Sequence, residues 1–155
     1  MGTPAQRLQS ERLKYPGLLP EEVLVLRAWL ALHEHEYDRF DYNMRIGQGI
    51  DPGANYSPEV RKQAVMNTQL RIDAVAWKGA QPSIVEVKRR TTPSNVGQIL
   101  TYDSVWRKEF PGTPAPILRL VCNTYSLHIL PRVTEAGIHL DLVQVDFSGL
   151  KKPAP

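Results

Sequence analysis

The chain has 155 residues, 42% hydrophobic and 23% charged, with ten glycines and thirteen prolines; that is one domain's worth of ordinary globular composition and excludes a disordered or collagen-like chain. A single cysteine, Cys122, cannot make an internal disulfide or a cysteine-based zinc site, no apolar run approaches the roughly 18–20 residues of a membrane helix, and the polar start MGTPAQRLQSERLKY lacks a secretory h-region, so a soluble protein of a reducing, cytoplasmic setting without membrane contact is expected. The net charge of +3 is uneven, because residues 57–108 carry nine Lys/Arg against four Asp/Glu while the flanking thirds are negative or neutral, which points to an anionic partner near the middle of the chain.

Residues 1–18 read as an irregular arm, 19–147 as a single domain and 148–155 as a loose tail. Pro20 followed by Glu21 and Glu22 is a helix start, and Val23, Leu26, Leu30 and His33 recur at helical spacing, so a helix is expected over 20–35. Phe40, Tyr42, Met44 and Ile46 alternate with polar residues, giving a strand. A Gly/Pro-rich loop over 48–56 leads to Ser57-Pro58-Glu59, a capped helix start, with the helix running to about Val65. Leu70 to Trp77 alternates as a second strand, Gly79 to Pro82 reads as a turn, and Ser83 to Lys88 forms a third strand in a hairpin with the second. A helix is expected from about Ser94 to Phe110, an apolar strand over 117–122, a short helix over 126–136 and a last strand over 138–147. The order α, β, α, β, β, α, β, α, β describes an α/β fold with a mixed sheet covered by helices.

The chemistry concentrates on Asp73, Glu86 and Lys88. Glu86 and Lys88 are two apart on a strand and share a face. With a turn at 79–82, Lys78 faces Ser83, Val75 faces Glu86 and Asp73 faces Lys88, so all three charged groups project from one side. The same register gathers Ile72, Ala74, Ala76, Val85 and Val87 on the other. Two carboxylates and an ammonium at one point suit a hard cation such as Mg²⁺, with Mn²⁺ as an alternative, and the carbonyl of Val87 offers a further oxygen. Lys88 is placed to position or deprotonate a water, and hydrolysis of a phosphodiester is the reaction such a group serves.

Asp73, a turn and then Glu86-Val87-Lys88 resembles the PD-(D/E)xK nuclease superfamily. Gln98 to Tyr102 is similar to the Q-x-x-x-Y motif of its RecB-like and Holliday junction resolvase-like branches, and the element order over roughly 20–123 matches the αβββαβ core of that superfamily. Ile72 stands where the motif's name has Pro. The resemblance implies a restriction-endonuclease-like fold with an extra helix and strand, Mg²⁺-dependent cleavage of DNA, a site role for Gln98 and Tyr102, and a further metal-site acid at Glu22 or Glu21.

Around this group, Arg89 and Arg90 read either as phosphate contacts or as a solvated strand end, with Arg71 a further backbone contact. Trp77 is expected to share a face with Asp73 and to touch the substrate. Trp29 and Trp106 read as core, Cys122 as an inert buried thiol, and His33-Glu34-His35-Glu36 as a solvated helix end, because its histidines diverge. A second reading makes the chain a non-enzymatic structural or adaptor subunit in a phage particle or other nucleic-acid machine, or a virion-borne nuclease. The polar, Pro-rich arms then meet neighbouring subunits, and a homo-oligomer is possible on either reading.

Overall fold

The computed structural model describes residues 14–150. Most of the expected N-terminal arm and the end of the tail therefore lie outside the described residues. Helix α1, Pro20–His33, begins with proline in its first turn and with Glu21 and Glu22 at its positive end. Glu22 accepts a hydrogen bond from the Leu19 amide at 3.0 Å. A short 3₁₀ turn, Glu34–Glu36, leads to β1, Arg39–Ile46. Helix α2, Pro58–Thr68, starts where Ser57 Oγ accepts from the Val60 amide, and buries none of its residues. Strands β2, Leu70–Lys78, and β3, Gln81–Thr91, form the hairpin. Helix α3, Pro93–Glu109, is followed by β4, Ile117–Tyr125, a 3₁₀ turn over Leu127–Ile129, helix α4, Leu130–Glu135, and β5, His139–Leu142.

The strands make one sheet in the order β1-β2-β3-β4-β5. The first three are antiparallel neighbours, and β4 and β5 continue the sheet in parallel. On one face α1 lays Val23, Leu26, Trp29 and Leu30 onto Ala74, Ala76, Val85, Val87 and Val121. On the other, Val96, Ile99, Tyr102 and Trp106 of α3 pack with Val75, Ile84, Leu118 and Leu120, together with Val133 of α4. This is an α/β fold, an open mixed five-stranded sheet flanked by helices, and it matches the restriction-endonuclease-like architecture. Tyr15 and Leu18, at the end of the expected arm, are buried in the α1-side core. Among the described residues no helix is long and apolar enough to cross a membrane.

Three expectations are corrected. The hairpin turn is two residues long, Gly79-Ala80, with Lys78 opposite Gln81, Ala76 opposite Ser83 and Ala74 opposite Val85. Gly79 supplies the turn with φ 57. Pro82 belongs to β3 opposite Trp77, near the strand start, where proline is tolerated. The expected pairing was therefore displaced by two residues, a shift that preserves faces because side chains alternate with period two. Second, Ile72 does not share the α1-side core with Ala74; it joins Ile46 in the α3-side core. The change of side falls at Asn43, whose φ is 52, and at Asp73, a position skipped in the β1–β2 ladder. Third, the last strand stops at Leu142; the Val143 amide still donates to the Cys122 carbonyl at 2.9 Å, and Val143, Val145 and Phe147 pack into the α1-side core.

Candidate active site

Asp73 sits where two ladders let go. The β1–β2 pairing skips it, and the β2–β3 pairing ends one residue away at Ala74 and Val85. Beyond that point β2 stays with β1 and β3 stays with β4, so the sheet forks. The Val87 amide, left without a ladder partner, donates to Asp73 Oδ2 at 2.8 Å. Continuing the observed register brings Asp73 opposite Glu86, where the sequence placed Lys88.

Glu86 is 1% exposed, and neither of its carboxyl oxygens meets a hydrogen-bond donor. Lys88 Nζ stands 3.6 Å from Glu86 Oε1 and 2.9 Å from Glu22 Oε2. Glu22 is thus engaged at both oxygens, by Lys88 and by the Leu19 amide. The α1 start, β2 and β3 each contribute to one small cluster of three acids and a lysine.

Burial dominates the electrostatics. It raises the Asp73 carboxyl to about 6, against the lowering effect of the Val87 amide and Lys88. It also raises Glu86, to about 9, and the neighbouring Asp73 charge adds to the rise. The pair shares a proton over the neutral range, and a protonated Glu86 can donate it to Asp73. Burial works against the Lys88 ammonium, but the Glu22 hydrogen bond and the three acidic charges outweigh it and leave its pKa raised. Lys88 is therefore a cation at the fork, not a free amine.

The donor set can be tested against a divalent ion. Two carboxyl groups face one another, and one of them has two buried oxygens without a donor. Such acceptors suit a hard cation, which prefers oxygen ligands. Among the described residues no group of three or more His, Cys, Asp or Glu side chains is arranged to hold a metal. The fit therefore rests on Asp73 and Glu86 with main-chain oxygen, as expected for Val87, while Glu22 is occupied by Lys88.

Gln98 and Tyr102 share one face of α3, as their spacing requires. Gln98 Nε2 donates to Tyr102 OH at 2.6 Å, and that hydroxyl donates to the Arg71 carbonyl at 2.8 Å. Tyr102 is buried, so this pair pins α3 to β2 two residues before Asp73.

The other candidates divide. Arg71 is exposed and lies directly opposite Arg45 of β1. Arg90 is exposed and shares strand parity with Glu86 and Lys88. Arg89 has the opposite parity; it pairs with Glu21 at 3.3 Å and caps the Phe147 ring at 4.1 Å. Trp77 is not brought to the site: it lies at the hairpin end, bonded to Asp41 at 2.8 Å, covered by Arg39 at 4.4 Å and tilted against Trp106. Trp29 and Trp106 are buried, with Trp29 donating to Asp141 and Trp106 to Thr113. Cys122 is buried and unpaired. His33 pairs with Glu36 at 2.9 Å on the exposed helix end. Sequence reasoning missed Arg45 and the Glu22–Lys88 pair; the first needs the β1–β2 register and the second needs the docking of α1.

No known protein family matches the chain, and no curated protein does. Two solved structures resemble its fold. A complex of EndoMS with double-stranded DNA aligns over 83% of this chain and 47% of its own, at 12% identity and a TM-score of 0.50. A protein of unknown function, AF1548, aligns over 77% of this chain and 56% of its own, at 18% identity and a TM-score of 0.47. The chain thus spans about half the length of each. At 12% identity the likeness to the EndoMS complex is one of fold.

Proposed function

We propose that the chain is a metal-dependent nuclease of the PD-(D/E)xK type that hydrolyses phosphodiester bonds in DNA. The observation that carries the reading is the Glu86 carboxyl, enclosed against Asp73 with no donor on either oxygen. Burying a carboxyl in this way costs stability, and a cation-binding site gives that cost a use. The fold shared with the DNA-bound EndoMS complex supports a nucleic-acid substrate.

Asp73 and Glu86, with the Val87 carbonyl, would hold Mg²⁺ or Mn²⁺. Such an ion, when bound, stabilises negative charge on a phosphate and acidifies its water. Lys88 remains an ammonium and orients the attacking water or a phosphate oxygen by donating to it. Glu22 holds that ammonium in place. Tyr102 and Gln98 fix the β2 backbone beside Asp73, so the carboxyl pair keeps its geometry as the substrate enters the open end of the fork.

The test is incubation with linear, nicked, branched and single-stranded DNA in Mg²⁺ or Mn²⁺. Cleavage is expected, reduced at least about 100-fold in Asp73→Asn, Glu86→Gln and Lys88→Met and unchanged in His33→Ala. A folded wild-type protein that cuts none of these substrates overturns the enzyme reading and leaves the structural or adaptor subunit.

A further inference from the structure

Arg39, Arg61, Arg89, Arg107, Arg119 and Arg132 each have a carboxylate within salt-bridge distance. Arg45, Arg71 and Arg90 have none among the described residues, and all three lie on the strand ends that carry the candidate site. Arg45 and Arg71 are moreover direct partners across the β1–β2 ladder. Directly opposed residues on antiparallel strands have Cβ atoms about 4.5–5.5 Å apart, and like charges placed so destabilise the sheet. Arg45 adds a second cost, because its Nε is buried with no acceptor. A buried donor without a partner disfavours folding. Both costs disappear if an anion is seated between the two guanidinium groups.

We infer that Arg45 and Arg71 form a phosphate clamp, and that its ligand is the backbone of a nucleic-acid strand lying across the fork. The inference rests on the nucleic-acid reading above and deepens it. Arg71 precedes Asp73 by two residues, about 6.6 Å along a strand, which is on the scale of one nucleotide step. The clamp therefore grips a phosphate neighbouring the one under attack. Guanidinium groups suit that role, since their fork of N–H donors matches phosphate oxygens. Arg90 continues the face of Glu86 and Lys88 on β3, so cations flank the acids on both strands. A substrate held at two successive phosphates is a polynucleotide and not a mononucleotide, and the contacts read backbone charge rather than base sequence.

The test separates binding from cleavage. Fluorescence anisotropy with labelled single-stranded and duplex DNA is measured in a chelator, across a potassium chloride series, for wild type, Arg45→Gln, Arg71→Gln and the control Arg107→Gln. Each clamp variant is expected to bind about ten-fold more weakly, with a log–log salt slope shallower by about one, while Arg107→Gln matches wild type. Without DNA, Arg71→Gln is expected to raise Tm by about 2 °C, as the opposed charges are relieved. Ten millimolar inorganic phosphate is expected to displace little DNA. Unchanged affinity and slope in both variants, a lower Tm for Arg71→Gln, or full displacement by inorganic phosphate overturns the clamp. A protein that binds in this pattern but never cuts refutes the nuclease and keeps the clamp; one that cuts normally with both arginines replaced does the reverse.

Discussion

Glu86 concentrates the energetics of the site in one side chain. Its carboxyl, normally near 4.5, is raised to about 9, first by burial and then by Asp73, and Asp73 itself rises from 3.8 to about 6. The folded protein thus binds more protons than the unfolded chain over that interval. Stability from these groups is complete below about pH 4 and is lost as pH rises through 6 and then 9. In a chelator, urea midpoints are expected to fall between pH 5 and 9, with a slope of up to about 1.4 kcal/mol per pH unit for one proton. Glu86→Gln removes the main titration, and its amide can donate to Asp73. That variant is expected to be more stable than wild type at pH 8 with a flatter profile; a profile as steep as wild type contradicts the shared-proton account. That Glu86 and Lys88 share a face was legible because side chains alternate with period two, and a pairing error of two residues leaves that intact; Asp73, at the change of side, is brought opposite Glu86 by the register of the hairpin. Glu22 was legible as a site residue only through the family resemblance, which cast it as a metal acid. Its contact with Lys88 depends on how α1 docks on the sheet, and no local pattern encodes that.

The hairpin shows what local signals can and cannot give. Gly79 and Pro82 marked the turn, but two breakers three apart read as one long turn, whereas only Gly79 has left-handed φ and Pro82 is already in the ladder. A Cβ on Gly79 meets nothing within 4 Å, so the cost of a side chain there is conformational alone. Gly79→Ala is expected to destabilise by about 1 kcal/mol. The urea midpoint then falls with an unchanged m-value. The turn lies at the far end of β2 from Asp73, so DNA cleavage at a temperature where the variant stays folded is expected to match wild type. The face change at Asn43 and Asp73 was not legible. Phe40, Tyr42, Met44 and Ile46 alternate without interruption in sequence, and only a positive φ at Asn43 sends the first pair toward the α1-side core and the second toward the α3-side core.

At the scale of the molecule, the sheet is closed and well packed at the hairpin end and forked at the other. Helix α1 closes one side of the fork through Glu22 and Lys88, and α3 closes the other through Tyr102 and the Arg71 carbonyl. The element order and the apolar stripes of α1 and α3 made this architecture readable, since each helix must cover one face of the sheet. The site, however, is a place where the fold works against itself: two buried acids face each other, one without donors. A ligand that relieves this stress must stabilise the whole fold, because it binds the native state and not the unfolded chain. Mg²⁺, Mn²⁺ or Ca²⁺ is therefore expected to raise the Tm of the DNA-free protein. At ten times the dissociation constant the gain is about 1.4 kcal/mol, or roughly 3–6 °C for a domain of this size. The rise should grow with pH from 6 to 8, as the ion competes with the shared proton for the same oxygens. Asp73→Asn and Glu86→Gln should lose the response, and Arg71→Gln should keep it. A wild-type Tm indifferent to all three ions, in a protein that still cuts DNA, assigns the metal to other residues. Indifference together with no cleavage removes the metal from the molecule and leaves Lys88 as the counter-charge to the buried acids among the described residues.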